Sequence, residues 1–311
     1  MRIAMLGAGG VGGYFGALLA RAGHEVVLFA RGDNLDAIRS NGITVQDTNG
    51  SFSVPIGATN DPAELAGASF AIVAVKSYSL NEIAPVAREL ALTGTTIVPL
   101  LNGVEATQDL ERAGVPRAQL LGGQTNVSAF KLKPGVIHRA LWKERIVVGE
   151  LNGQISERVM GLVDVLRSGG IDAIATTNIT VELWRKFNML CAMAAACGMA
   201  RSDVTGIRDT ALGRLLIERA VAEIGAVGRA KGVALPESQE ADIMRGIDAL
   251  PGAMKPSFLL DVERGGPTEL DALSGAVSRF GRDVGIPTPV HDTAAAVLAH
   301  HSGRGASVAA T

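Results

Sequence analysis

Apolar positions along the chain follow two patterns, and one gives way to the other near residue 178. Before it, apolar runs of strand length alternate with longer stretches of helical period, the pattern of successive βαβ units. The opening runs RIAML (2–6) and EVVLF (25–29) flank an amphipathic helix that begins in a glycine-rich turn. A polar helical segment is expected over 34–40, then a hairpin of 43–47 against 52–56 around Thr48-Asn49-Gly50. The run at 70–75 is apolar at every position, as suits a parallel strand covered on both faces. It leads through Lys76-Ser77-Tyr78 into a helix over 80–92, and the next strand, 96–100, ends in Leu101-Asn102-Gly103. From 120 to 150 the runs shorten to LLGGQTNVSAF, GVIHRALW and RIVVGE, which read as an antiparallel extension of the sheet. A helix over 154–167 and a strand over 171–175 close this half.

From Asn178, read as a helix N-cap, the period is helical almost throughout. Segments are expected at 179–200, 210–231, 236–250, 258–264, 269–284 and 288–300, with Val-Gly-Ile-Pro-Thr-Pro breaking the last two. The tail, 302–311, is small and polar and is expected to be loose. The fold class is therefore α/β: an N-terminal domain of βαβ units, 1–177, and an all-helical C-terminal domain, 178–311.

Composition narrows the partners. With 47% apolar and 19% charged residues the chain can build a sizeable core, and a net charge of −2 supplies no field for a polyanion, so no nucleic acid is expected. The only cysteines, Cys191 and Cys197, share one apolar segment and form neither a disulfide framework nor a metal-ligand set. The longest apolar stretch, 189–200, falls short of the roughly 20 residues that a bilayer requires. The N-terminus lacks a signal-peptide pattern, so a cytoplasmic enzyme with no membrane partner is the expectation. The apolar helical half leaves a homodimer open.

The candidate chemistry starts at the first turn. Gly7, Gly9 and Gly12 stand in G-x-G-x-x-G spacing, with Ala8, Gly10 and Val11 between them, where a strand hands over to a helix. Gly7 allows the tight turn, Gly9 lets backbone approach a pyrophosphate, and Gly12 lets the helix lie close to the sheet. The second strand then ends in Ala30-Arg31, where an acidic residue would select the free ribose hydroxyl of NAD. A guanidinium there suits a 2′-phosphate, which favours NADP(H), while Asp33 close behind keeps NAD open. Lys76 and Asn102 follow two further strands, at the ends where open α/β sheets bind ligands.

Seven stretches resemble the ketopantoate reductase (2-dehydropantoate 2-reductase) family: GAGGVGGYFG, AVKSY (74–78), LNGVE (101–105), LGGQTNVSA with PGVIH (121–138), ELWRKF (182–187), PSFLLDVERGGPTELDALSGAV (256–277) and GIPTPVHD (285–292). The resemblance implies an N-terminal Rossmann-like dinucleotide-binding domain joined to a helical domain, and an NADPH-dependent reductase of a 2-oxo acid, ketopantoate first. It implies that Lys186 is the general acid, and that Glu269 holds this lysine and a substrate hydroxyl. Ser257 would contact the substrate carboxylate. Asn102 would orient the nicotinamide end and the ketone, and Arg31 and Lys76 would be the cations near the 2′-phosphate and ribose. The chain departs from the family four and eight residues after Lys186, where Leu190 and Ala194 replace the usual asparagines. Met193 and Cys197 share that side of the helix, so the expected wall is apolar and a less hydroxylated 2-oxo acid is the alternative substrate. A further alternative is a sensor that binds NADP(H) without turnover.

Overall fold

A computed structural model describes residues 1–48, 50–140 and 144–300. Asn49 of the expected hairpin turn, Leu141 and Trp142 of the GVIHRALW run, and the tail from 302 lie outside the described residues. The chain divides into two compact units: Met1–Leu101 with Glu105–Ile179, and Asn102–Val104 with the residues from Thr180 onward.

In the first unit the elements run β1 (Arg2–Leu6), α1 (Gly10–Arg21), β2 (Glu25–Phe29), α2 (Gly32–Asn41), β3 (Ile43–Asp47), β4 (Gly50–Val54) and β5 (Gly57–Thr59). Next come β6 (Phe70–Val73), α3 (Leu80–Leu92), β7 (Thr96–Pro99), α4 (Ala106–Arg112), β8 (Gly122–Asn126), β9 (Ala129–Lys133), β10 (Val136–Arg139), β11 (Arg145–Gly149), α5 (Glu157–Ser168) and β12 (Ala173–Ala175). The main sheet has the order β5-β2-β1-β6-β7, and all its pairings are parallel. β6 and β7 are buried at every position, as strands covered on both faces must be.

The expectation for 120–150 needs correction. β8 and β11 do pair antiparallel, in a three-stranded sheet β12-β11-β8 that meets β7 through a single bridge, Ile97 to Leu120. β9 and β10 instead join the 43–54 hairpin in a separate four-stranded sheet, β4-β3-β10-β9, whose β3–β10 pairing is parallel. The cause is α1. Gly12 to Leu19 of this helix are all buried, because it packs on the parallel sheet with one side and on the four-stranded sheet with the other. Small residues make that double contact possible. A Cβ on Gly16 would lie 2.9 Å from Leu28 of β2, and one on Gly13 would lie 2.8 Å from Ile137 of β10. Polar contacts fix the second face: Tyr14 Oη donates to Glu144 Oε1 at 2.9 Å, and Arg139 bridges Glu144 and Asp47. Burial and the Glu144 carboxylate both raise the Tyr14 pKa, so this hydroxyl remains a donor.

The second unit is helical: α6 (Ile179–Ala200), α7 (Val204–Arg208), α8 (Ala211–Ala230), α9 (Gln239–Asp248), α10 (Ser257–Glu263), one π-helical turn (Asp271–Gly275), α11 (Ala276–Val284) and α12 (Pro289–Ala299). Cys191 and Cys197 are both buried in its core, where burial raises their thiol pKa values and keeps them protonated. Among the described residues, no helix is long and apolar enough to cross a membrane, and no group of three His, Cys, Asp or Glu could hold a metal ion.

His291 is part of this core. Its ring is fully buried, with Nδ1 3.2 Å from Ser274 Oγ and Nε2 3.2 Å from the Ala220 carbonyl, so Nε2 carries the hydrogen and donates to that oxygen. Burial lowers its pKa from 6.5 to about 4. A depressed pKa gives stability that is complete above the unfolded value and is lost as pH falls toward the folded one. Full protonation is expected to cost about 3 kcal/mol. Urea midpoints at pH 7 and pH 4.5 check this: His291→Gln, which can keep both hydrogen bonds, is expected to flatten the difference. An equal acid loss in both proteins would show that other groups carry it.

Candidate active site

In the first unit the glycines of the opening turn have separate tasks. Gly7 has φ +118°, and a Cβ there would lie 2.9 Å from the Ala74 carbonyl oxygen. At Gly12 a Cβ would lie 1.9 Å from the Gly7 carbonyl oxygen, because the turn folds back onto its own helix. Gly10 lies beneath β9, where a Cβ would come within 2.1 Å of the Ala129 carbonyl oxygen. Only Gly9 of these four is open, with no protein atom within 4 Å of a Cβ built on it.

The donors of this turn fit a phosphate. Gly9 is the N-cap of α1 and provides no side-chain cap, and the Gly13 N–H already reaches the Gly9 carbonyl at 2.8 Å. The N–H groups of Gly10, Val11 and Gly12 therefore lack an acceptor within the helix, at its positive end. An open glycine beside unpaired donors is the arrangement that a dinucleotide pyrophosphate requires. Ala8 is buried and its carbonyl accepts from Asn34 Nδ2 at 3.0 Å, while Asn34 Oδ1 accepts from Gly135 N at 3.0 Å. Asn34 thus ties the turn to the β9–β10 connection. Sequence reading gave it only a helix start, since nothing in local spacing links it to residue 135.

Arg31 follows β2 at the N-cap of α2, is exposed, and pairs with Glu82 of α3 at 2.8 Å. Lys76 lies beyond the end of β6 and is half-buried. Asp33 is exposed in the first turn of α2.

In the second unit three of the expected residues meet. Lys186 Nζ donates to Asn102 Oδ1 at 3.1 Å, and Asn102 Nδ2 donates to Glu269 Oε2 at 3.0 Å. The charges at both ends fix the amide orientation, since an ammonium can only donate and a carboxylate can only accept. Local structure supports each member. Lys186 is on the second turn of α6, and Glu269 is buried just before the π-helical turn. Gly103 has φ +93°, and a Cβ there would lie 3.2 Å from the Ala272 carbonyl oxygen, so only glycine lets this loop rest on the π turn. Burial lowers the Lys186 pKa from 10.5 to about 8, against the opposing charge of Glu269.

Ser257 opens α10 and is exposed, and among the described residues no hydrogen bond joins it to these three. α6 is continuous, so Leu190 and Ala194 follow Lys186 by about one and two turns. Leu190 is half-buried, while Ala194, Met193 and Cys197 are buried. Asn188 is buried as well and donates to the Val221 carbonyl of α8 at 3.2 Å.

Comparison with known proteins agrees with both units. The family model described as ketopantoate reductase PanE/ApbA matches residues 3–153, and its C-terminal counterpart matches 178–302. The chain is 31% identical to the 2-dehydropantoate 2-reductase of Mesorhizobium japonicum, over 96% of this chain and 97% of that one. It is 30% identical to the enzyme of the same name from Halobacterium salinarum, over 95% and 97%. The crystal structure of 2-dehydropantoate 2-reductase from Geobacter metallireducens has 28% identity and a TM-score of 0.88, covering 96% of this chain and 99% of that one. A glycine turn with open helix donors, a Lys–Asn–Glu relay and a sequence match across nearly the whole length converge: the chain belongs to the ketopantoate reductase family, oxidoreductases that interconvert C=O and CH–OH.

Proposed function

We propose that this protein catalyses the NADPH-dependent reduction of a 2-oxo acid to a 2-hydroxy acid, with 2-dehydropantoate, giving pantoate, as the first candidate substrate. The observation that carries this reading is the Lys186–Asn102–Glu269 chain, which ends in an ammonium of lowered pKa. Residues 1–177 form the dinucleotide domain and 178–311 the catalytic one. Gly7, Ala8, Gly9, Gly10, Val11 and Gly12 hold the pyrophosphate, and Arg31 and Lys76 take the 2′-phosphate and ribose. The reduced nicotinamide supplies a hydride to the carbonyl carbon.

As that carbon is reduced, negative charge builds on the oxygen, and a cation that can release a proton stabilises it twice over. Lys186 has both properties. Asn102 accepts one of its hydrogens and leaves the other two for the substrate oxygen and its surroundings. Glu269 orients the Asn102 amide, adds negative charge that keeps the amine protonated, and can accept from a substrate hydroxyl. Ser257 is proposed to meet the substrate carboxylate.

One observation favours a second reading. Leu190 and Ala194, on the turns after Lys186, cannot hydrogen-bond a hydroxyl. With Glu269 as the one hydroxyl partner proposed and an apolar wall beside it, the site discriminates less between hydroxylated and plain substrates, which favours a more apolar 2-oxo acid. An NADPH-oxidation screen over branched 2-oxo acids, run beside NADH, tests both readings. A kcat/KM for ketopantoate within about tenfold of that for 2-oxoisovalerate is expected from the apolar wall. A preference for ketopantoate of about a thousandfold or more would rule the second reading out. Oxidation with none of the acids would favour the sensor.

A further inference from the structure

We propose that Glu82 sets the balance between NADPH and NADH by occupying the guanidinium of Arg31. The inference rests on the reading of Arg31 as the residue facing the 2′-phosphate. Arg31 Nη1 and Glu82 Oε2 lie 2.8 Å apart, with 79% of the arginine side chain and 57% of the glutamate side chain exposed. An ion pair this exposed contributes little to folding, and its two partners come from different elements, the N-cap of α2 and the first turn of α3. Its chemistry bears on the ligand instead.

Arg31 stands two residues beyond the end of β2, next to the place of the adenosine ribose in this fold. A phosphate dianion reaching for Arg31 must compete with the Glu82 carboxylate for the guanidinium, and that carboxylate then remains close to a group of like charge. Both steps weaken NADPH binding. A free ribose hydroxyl is neutral, does not compete for the guanidinium, and can donate to a carboxylate. The pair therefore lowers the advantage of NADPH and leaves NADH a usable ligand. The sequence showed the arginine without its competitor, because residues 31 and 82 are brought together only by the β1–β6 pairing that sets α3 beside the end of β2.

Calorimetric titration of NADPH and NADH into the wild type, Glu82→Gln, Arg31→Ala and the double variant tests this without turnover. Glu82→Gln is expected to bind NADPH about fivefold tighter, with NADH unchanged or slightly weaker. Arg31→Ala is expected to bind NADPH at least about tenfold more weakly, and Glu82→Gln is expected to add nothing in that background. Equal shifts for both dinucleotides, no shift for either, or a full gain without Arg31 would each overturn the role of Glu82. NADPH binding that is unaffected by Arg31→Ala would instead overturn the reading of Arg31, and the inference with it.

Discussion

Replacing Lys186 by alanine is expected to lower kcat for reduction by about a thousandfold while leaving NADPH affinity close to that of the wild type. The residue stands at the end of a hydrogen-bonded chain to Asn102 and Glu269, whereas the glycine turn proposed to hold the dinucleotide belongs to the first unit. In the proposed mechanism removal of Lys186 takes away the proton donor and the compensating cation together. The pH profile identifies the group independently. Reduction needs the protonated amine, so kcat/KM is expected to be level below the pKa of about 8 and to fall above it. Oxidation of the alcohol needs the neutral amine and is expected to rise through the same range. Glu269 holds the pKa up by its charge, so Glu269→Gln is expected to move the break to lower pH. A stopped-flow measurement in which Lys186→Ala keeps both its rate and its alkaline break would remove this residue from the chemistry.

The second large effect separates two adjacent glycines. Gly10→Ala is expected to destabilise the first unit by about 2–4 kcal/mol, because the new methyl group would meet the backbone of Ala129 and Phe130 rather than a yielding side chain. Gly9→Ala meets no protein atom within 4 Å, and its backbone (φ −81°) suits any residue. Its folding cost is expected to stay near 1 kcal/mol or below, that of a poorer N-cap. Its dinucleotide affinity is expected to fall about tenfold or more, since the methyl would occupy the space that a pyrophosphate approaches. Thermal denaturation with and without NADPH reads both effects. A Gly9→Ala protein with wild-type affinity would show that phosphate does not approach this face.

The sequence made the first βαβ unit legible because its signals are local: apolar runs of strand length around glycines whose spacing has a steric reason. β1, α1 and β2 stand where those signals put them. The helical second half was legible for the same reason, from period and punctuation. The four-stranded sheet was not, because the parallel pairing of β3 with β10 joins residues about ninety positions apart, and only the two-sided burial of α1 selects it. The Lys186–Asn102–Glu269 chain spans 84 and 167 positions, and no periodicity links its members. Lys186 and Glu269 were named through the family resemblance alone, Asn102 also by its place after a strand, and the position of Asn102 between the other two emerges only from the fold. Asn34, the Glu82 partner of Arg31 and the neighbour of Gly10 were missed for a related reason: each is defined by a contact that only the folded chain creates.

The wide helical turn after Glu269 has an implication for how this protein can vary in length. Its Gly275 N–H reaches back five residues to Leu270 at 2.9 Å, so the segment carries one residue more than a regular helix would use there. Excising a single residue from Asp271–Gly275 would let the helix close with ordinary spacing. The wide turn absorbs its extra residue locally, so the segments on either side, Glu269 among them, would keep close to their present directions. A one-residue deletion is thus better absorbed inside this turn than in the regular helix Ala276–Val284 that follows, where it would rotate one end against the other by about 100°.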